Sequence, residues 1–331
     1  MQSRAGSAVN LGPPALAAVD LGSNSTRLLI QHGDSSVPSV RRAEVTGLGR
    51  GVDASKTLTP ESIHRTIDCL RAYEVLLRDC GVSRNIDSLR VIATSAARDA
   101  TNRDSLFDAV EDVLGIRPEL LAGHEEGRLA FAGATAGLTA TRSAFGEDEL
   151  DLVVDIGGGS TEFAVGVAGC EPLGSTSVDA GCVRFSEKYL WEFDPPGPEA
   201  LSGAVTVMRA HLDDVDRDLP DARRARRMIG LAGSIVAVAA VEIGLHTYDR
   251  DRLHHFVLRR EAAEDVFRTL ATERRSDRAF NPGLSADRLD TIVAGAAILA
   301  TIMRHFQFDQ CLVSENDILD GIIAELRSRR T

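Results

Sequence analysis

Two stretches of the chain share one rhythm of apolar and polar positions. Residues 18–30 read AVDLGSNSTRLLI and residues 153–165 read VVDIGGGSTEFAV, and the two align without a gap. Val19 matches Val154, Asp20 matches Asp155, Gly22 matches Gly157, Ser25 matches Ser160 and Thr26 matches Thr161. In each copy an apolar strand ends in an aspartate, turns through Gly, Ser or Asn, and resumes as a second β-prone segment. That pattern predicts a β-hairpin with a tight polar tip. Its repetition implies duplicated halves whose loops face each other.

Around the hairpins, strand and helix periods alternate. Extended segments are expected over 43–48, 88–94, 115–121, 227–231, 256–258 and 311–313. Helices are expected over 60–79, 104–113, 125–136, 201–219, 235–243, 261–273, 287–306 and 318–327. The stretch TIVAGAAI at 291–298 is rich in small residues, which predicts a close crossing with a partner helix. Strands alternating with helices give the α/β class with mixed sheets.

Composition narrows the picture. A chain of 331 residues has room for two domains with cores of their own. At 44% hydrophobic and 26% charged residues it has the make-up of a globular protein. The apolar run at 291–303 is too short to span a bilayer, so no membrane partner is expected. The start, MQSRAGSAVNLGPPALAAVD, has its only apolar run at 15–19, leading straight into the first hairpin; it reads as part of the fold and not as a signal peptide. Cys69, Cys80, Cys170, Cys182 and Cys311 form neither C-x-x-C pairs nor a disulfide framework, as expected of thiols in a reducing cytoplasm. His254 and His255 lack a further His or Cys at ligand spacing and read as structural.

The two loops carry the chemistry. Glycines let peptide N–H groups converge on an anion, because no Cβ blocks the approach. Serine hydroxyls add donors. An aspartate at the strand end repels phosphate but can hold a Mg²⁺ ion that binds it. Asp20-Leu-Gly-Ser-Asn-Ser and Asp155-Ile-Gly-Gly-Gly-Ser therefore both suit a metal–phosphate group. The net charge of −12 argues against a nucleic-acid partner, which needs a basic surface. It also means that a polyanionic substrate requires concentrated positive charge somewhere. Residues 223–227 (RRARR) are the strongest candidate, although the aspartates flanking them also fit a solvated helix end.

Five motifs in order, AAVDLGSNSTRLLI, VIATSAARDATNR, LLAGHEEGRLAFAGA, LVVDIGGGSTEF and LSADRLDTIVAGAAIL, carry a resemblance. Their order is similar to that of the actin, sugar-kinase and Hsp70-type superfamily. Within it the chain resembles the short, two-domain form of the exopolyphosphatase/guanosine-pentaphosphate phosphohydrolase family, from Ala17 to about Gly321. The resemblance implies two RNase H-like domains with a cleft between them, 1–124 with 312–331 and then 125–311. It also implies roles. Glu126 is the catalytic base, with the adjacent Glu125 as its rival, and Arg98 faces the substrate phosphates. Asp155 and Glu162 surround the metal and the attacking water, and Asp20 joins the metal site directly or through water. Ser23, Asn24, Gly157, Gly158, Gly159 and Ser160 are the phosphate donors. Leu319 departs from the pattern, since the family often has arginine there. The implied cofactor is Mg²⁺, and the implied substrate is inorganic polyphosphate, short chains in particular, or guanosine pentaphosphate. A homodimer is expected from the resemblance alone. A kinase or ATPase of the same superfamily and a non-catalytic alarmone or polyphosphate sensor are the competing classes.

Overall fold

The computed structural model describes residues 15–34, 36–140 and 148–330. Most of the start of the chain, expected to belong to the fold, lies outside these residues. The first sheet holds β1 (Leu16–Leu21), β2 (Ser25–Gln31), β3 (Val40–Val45), β4 (Leu89–Ala93) and β5 (Glu119–Leu120) in the order β3-β2-β1-β4-β5. The second holds β6 (Asp151–Ile156), β7 (Thr161–Gly166), β8 (Gly174–Val178), β9 (Arg227–Leu231), β10 (Val257–Arg259) and β11 (Gln310–Val313) in the order β10-β11-β9-β6-β7-β8. In each sheet an antiparallel three-strand meander is continued by parallel strands. The sequence repeat is thus a repeat of topology, with β10 as an added antiparallel edge.

Both hairpin strands β1 and β6 are buried along their whole length, because each sheet is covered on both faces. On β1 the alternation of side chains sorts residues between two cores. Ala17, Val19 and Leu21 join Leu70, Tyr73, Leu106 and Val110 from the helices Pro60–Asp79 and Arg103–Leu114. Leu16 and Ala18 join Ile318, Ile322 and Leu326 of the helix Ile318–Ser328. That helix crosses the connecting helix Gly123–Thr135 at very short range. A Cβ on Gly133 would overlap the Asp317 carbonyl, and one on Gly321 would overlap the Leu129 carbonyl. Gly133→Ala should therefore lower stability by about 3 kcal/mol, the upper part of the overpacking range, read as a fall in melting temperature. An unchanged melting point would show that the two helices separate at no cost.

The expected small-residue crossing is present too: a Cβ on Gly295 would lie 2.7 Å from Ser234 Cβ in the helix Ala232–Ile243. Other elements differ from expectation, among them the strand placed at 115–121, which is only Glu119–Leu120. The strand placed at 43–48 runs over 40–45, because Leu48 reaches the core from the following loop while β3 itself is an edge strand with charged residues. The helix placed at 287–306 runs Ile292–His305, after a separate 3₁₀ turn at Ala286–Arg288. β8, with the sequence GSTSV, has one large apolar residue to announce it and exists because β7 offers an unpaired edge. No described helix is long and apolar enough to cross a membrane.

Candidate active site

The two hairpin tips meet. A Cβ on Gly158 would lie 2.9 Å from Asn24 N, and one on Gly159 would lie 2.8 Å from Ser23 Oγ, so only glycine permits the approach. Between the tips lies a cavity of about 90 Å³, lined by both loops, Asp20, Asp155 and Glu126. That is the volume of about three water molecules. Among the described residues, the peptide N–H groups of Ser23, Asn24, Gly158, Gly159 and Ser160 donate to no acceptor. Unsatisfied N–H groups around a small cavity are the signature of an anion cradle. Ser160 donates its hydroxyl proton to Glu162 Oε1 at 2.6 Å, which leaves its peptide N–H for a ligand. Ser23 Oγ accepts from Ala96 N at 3.1 Å and keeps its own proton to donate.

Buried carboxylates ring this cradle. The hairpin register sets Asp20 opposite Arg27 and Asp155 opposite Glu162. Asp20 Oδ2 accepts from Arg27 Nε at 2.9 Å, whereas Asp20 Oδ1 is buried with no partner. Glu126 stands in the first turn of the connecting helix and accepts from Arg98 Nη1 at 2.7 Å; Arg98 also holds the Leu121 carbonyl at 2.9 Å. Glu125 turns back to accept from Ala122 N at 3.3 Å as a helix cap. Of the two adjacent glutamates, only Glu126 lines the cavity. Glu162 sits behind Ser160 and also accepts from Ser177 Oγ at 2.8 Å.

Burial dominates the electrostatics. It pushes the Glu126 pKa up to about 7, against the pull of Arg98 and the ionised-form preference of a helix N-terminus. It pushes Asp155 up to about 6, against Arg27. Glu162 lies well above its ordinary value for the same reason, with Glu126 and Asp155 adding repulsion, and Asp20 is raised by burial against Arg27. Asp20, Glu126, Asp155 and Glu162 thus share a site in which Arg27 and Arg98 offset them in part. Burying that many carboxylates costs several kcal/mol unless a cation joins them. The orphaned Asp20 oxygen and an all-oxygen donor set fit a hard divalent ion such as Mg²⁺.

A second cavity of about 800 Å³ adjoins the first through Arg27, Ala43, Ala232, Gly233 and Arg288. Arg42, Arg250 and Arg288 on its wall have no carboxylate partner among the described residues; Arg42 donates to the Arg41 carbonyl at 2.8 Å and Arg250 to Asn316 Oδ1 at 2.6 Å. Arg41 is paired with Asp317 and Asp320. Guanidiniums free of carboxylates thus gather on this wall, whereas at residues 223–227 Arg223 pairs with Asp216, Arg224 with Asp221 and Arg227 with Asp151, and Arg226 alone has no ion pair among the described residues. Sequence reading missed this cluster because its members come from β3, from the helix Arg250–Leu253 and from the turn Ala286–Arg288. No motif joins them. His254 and His255 stack on each other at 3.8 Å, and His254 Nδ1 accepts from Glu315 N, consistent with structural residues.

This geometry has close counterparts. The family model described as "Ppx/GppA phosphatase family" matches residues 30–329. Exopolyphosphatase 2 of Mycobacterium tuberculosis is 35% identical, covering 94% of this chain and 98% of that one. A guanosine-5'-triphosphate,3'-diphosphate pyrophosphatase of Vibrio atlanticus is 27% identical, covering 96% of this chain and 60% of that one. Among solved structures, an exopolyphosphatase-like protein superposes with a TM-score of 0.86 at 31% identity, covering 96% of this chain and all of that one. The Aquifex aeolicus member of the family superposes with a TM-score of 0.77 at 25% identity, covering 96% and 99%. The two mixed sheets with facing loops are thus the arrangement of these solved structures, and the chain belongs to the Ppx/GppA phosphatase family.

Proposed function

We propose that the protein is a Mg²⁺-dependent exopolyphosphatase that removes the terminal phosphate of inorganic polyphosphate, short chains included. The observation that carries this reading is the set of guanidiniums without carboxylate partners, Arg42, Arg250 and Arg288, in the cavity next to the phosphate loops. In a chain of net charge −12, three such guanidiniums gathered in one cavity beside the loops suit a polyanion. The M. tuberculosis relative named as an exopolyphosphatase, matched over nearly its whole length, supports the same reading.

The residues divide the work as follows. The N–H groups of Ser23, Asn24, Gly158, Gly159 and Ser160 hold the terminal phosphate. Glu126 accepts a proton from water as the water oxygen bonds to the terminal phosphorus, and the bridging P–O bond breaks to release a chain one phosphate shorter. Arg98 aims the Glu126 carboxylate and offsets charge on the phosphate oxygens. When bound by Asp155 and Asp20, Mg²⁺ supplies neutralisation of the phosphate charge. The rest of the polyanion occupies the arginine-lined cavity.

A second reading, guanosine pentaphosphate hydrolysis, is favoured by Tyr248 on the wall of that cavity. The residue is 66% exposed, and its hydroxyl donates to Glu315 Oε2 at 2.7 Å. An aromatic face beside a carboxylate suits a guanine base. Phosphate release with Mg²⁺ from short polyphosphate, long polyphosphate and guanosine pentaphosphate, with ATP as control, separates the two. Polyphosphate should be preferred, and Arg250→Ala should raise KM for it about tenfold with little change in kcat. Preference for the pentaphosphate would replace the first reading by the second.

A further inference from the structure

The three glycine carbonyls of the second loop are held by residues 182–184. The N–H of Cys182 donates to Gly157 O at 2.9 Å, and those of Val183 and Arg184 donate to Gly158 O at 2.9 and 3.1 Å. The Arg184 side chain completes the set, with Nε donating to Gly159 O at 2.7 Å. In a trans peptide the N–H points opposite to the preceding carbonyl. The N–H groups of Gly158, Gly159 and Ser160 are therefore turned away from this anchor. The first two carbonyls are held by backbone donors, whereas the third depends on one side chain. Without it the Gly159 peptide is free to rotate, since glycine populates both signs of φ.

Arg184 is only 9% exposed, and its remaining nitrogens leave the loop behind. Nη1 donates to Asp53 and Nη2 to Asp99 at 2.5 Å, with Ser95 Oγ at 3.5 Å. Asp53 and Asp99 both belong to the half built on the first sheet, and Asp99 follows Arg98 directly. One planar fork thus spans the second phosphate loop and two carboxylates of the opposite half. The single ammonium of a lysine cannot reproduce those three directions.

We propose that Arg184 is a positioning residue for phosphoryl transfer. It fixes the Gly159 carbonyl outward so that the Ser160 N–H faces the substrate phosphate, and it does so only while Asp53 and Asp99 are docked on the same guanidinium. Formation of the second half's cradle is thereby conditional on contact with the first. The role rests on the reading above only in taking that phosphate to be the terminal phosphate of the substrate.

Arg184→Met takes the guanidinium from Asp99, Asp179 and Asp53, of which, among the described residues, only Asp53 keeps another cation, Lys56, and so weakens the fold. The informative protein is Asp53→Asn/Asp99→Asn/Arg184→Met, in which the guanidinium and the two carboxylates docked on it from the first half are all uncharged. The exposed Asp179 and Lys56 stay at the edge of the network. Arg184→Lys is the variant that keeps the charge and loses the fork. Three measurements are made on each with Mg²⁺: thermal melting, calorimetric binding of tripolyphosphate, and kcat and KM for the same substrate. The triple variant should melt within a few degrees of wild type, bind tripolyphosphate about tenfold more weakly and turn over about 100-fold more slowly, the scale of one lost preorganised N–H donor. Arg184→Lys should fold like wild type and still lose at least tenfold in kcat. Wild-type affinity and turnover in either variant would overturn the proposal. A wild type that binds tripolyphosphate without cleaving it would end the exopolyphosphatase reading alone, and the affinity difference would still decide the role of Arg184. A wild type that binds no tripolyphosphate would overturn both.

Discussion

Glu126→Gln should lower phosphate release from polyphosphate at saturating substrate by roughly 10²–10⁴-fold, the range of a lost general base. Glutamine keeps the size of the side chain, and its carbonyl still accepts from Arg98, which also stays anchored on the Leu121 carbonyl. What it lacks is a lone pair basic enough to take a proton from water. The substitution also removes one buried negative charge from a site that holds several. The fold should be retained or strengthened, and a polyanion should bind at least as well as before. Release assays and calorimetric titration with tripolyphosphate therefore separate chemistry from binding on one protein. The neighbouring Glu125→Gln alters only the helix cap and should cost less than threefold. Equal losses from both substitutions, or none from Glu126→Gln, would remove Glu126 from the role of base.

The second large effect is on stability as a function of pH and Mg²⁺. Burial raises Glu126 to about 7 and Asp155 to about 6, from 4.5 and 3.8. Between the unfolded and folded values, the native protein holds protons that the unfolded chain has released. Stability then falls as pH rises through that window, roughly 4 to 7, and levels off above it. Each tenfold change in an acidity constant carries about 1.4 kcal/mol. Protein freed of divalent ions with a chelator should accordingly melt several degrees lower at pH 8 than at pH 5.5. Mg²⁺ should restore much of the difference at pH 8 and little at pH 5.5, because it binds the ionised carboxylates. Asp317 is displaced the other way: Arg27 and Arg41 outweigh its burial, so it stays ionised across the window and does not contribute. The Glu126→Gln/Asp155→Asn protein should lose part of the slope, because burial also raises Glu162 and Asp20, which remain. An unchanged slope in that double variant would remove Glu126 and Asp155 from the effect.

The parts legible in the sequence are those whose signal is local. Both hairpins followed from an aspartate, a glycine turn and a β-prone return, and the meeting of their tips followed from their being copies. The helix Pro60–Asp79 falls where expected because Thr59 caps it and proline occupies its first position. The parts that were not legible depend on partners far along the chain. Adjacent Glu125 and Glu126 differ only once the helix N-terminus shows which one caps it. Arg184 belongs to the short helix Cys182–Phe185, for which no period announces itself in four residues. The basic wall of the larger cavity was not legible for a similar reason: RRARR is conspicuous in sequence although three of its four arginines are ion-paired, whereas Arg42, Arg250 and Arg288 come together from three separate elements.

The apolar face that β1 shares with the helix Ile318–Ser328 has a consequence for synthesis. Arg27 of the first hairpin and Asp317 at the cap of that helix form an ion pair across 290 residues of chain. Leu121 and Leu129 begin the cover of Leu16, Ala18, Leu29 and Ile92, and it is complete only when Ile318, Ile322 and Leu326 have left the ribosome. At about 5–20 residues per second, the first sheet waits on the order of 15–60 s with one face partly open. The half made first is therefore finished last. Chains stalled before residue 318 present that face to holding chaperones and to each other.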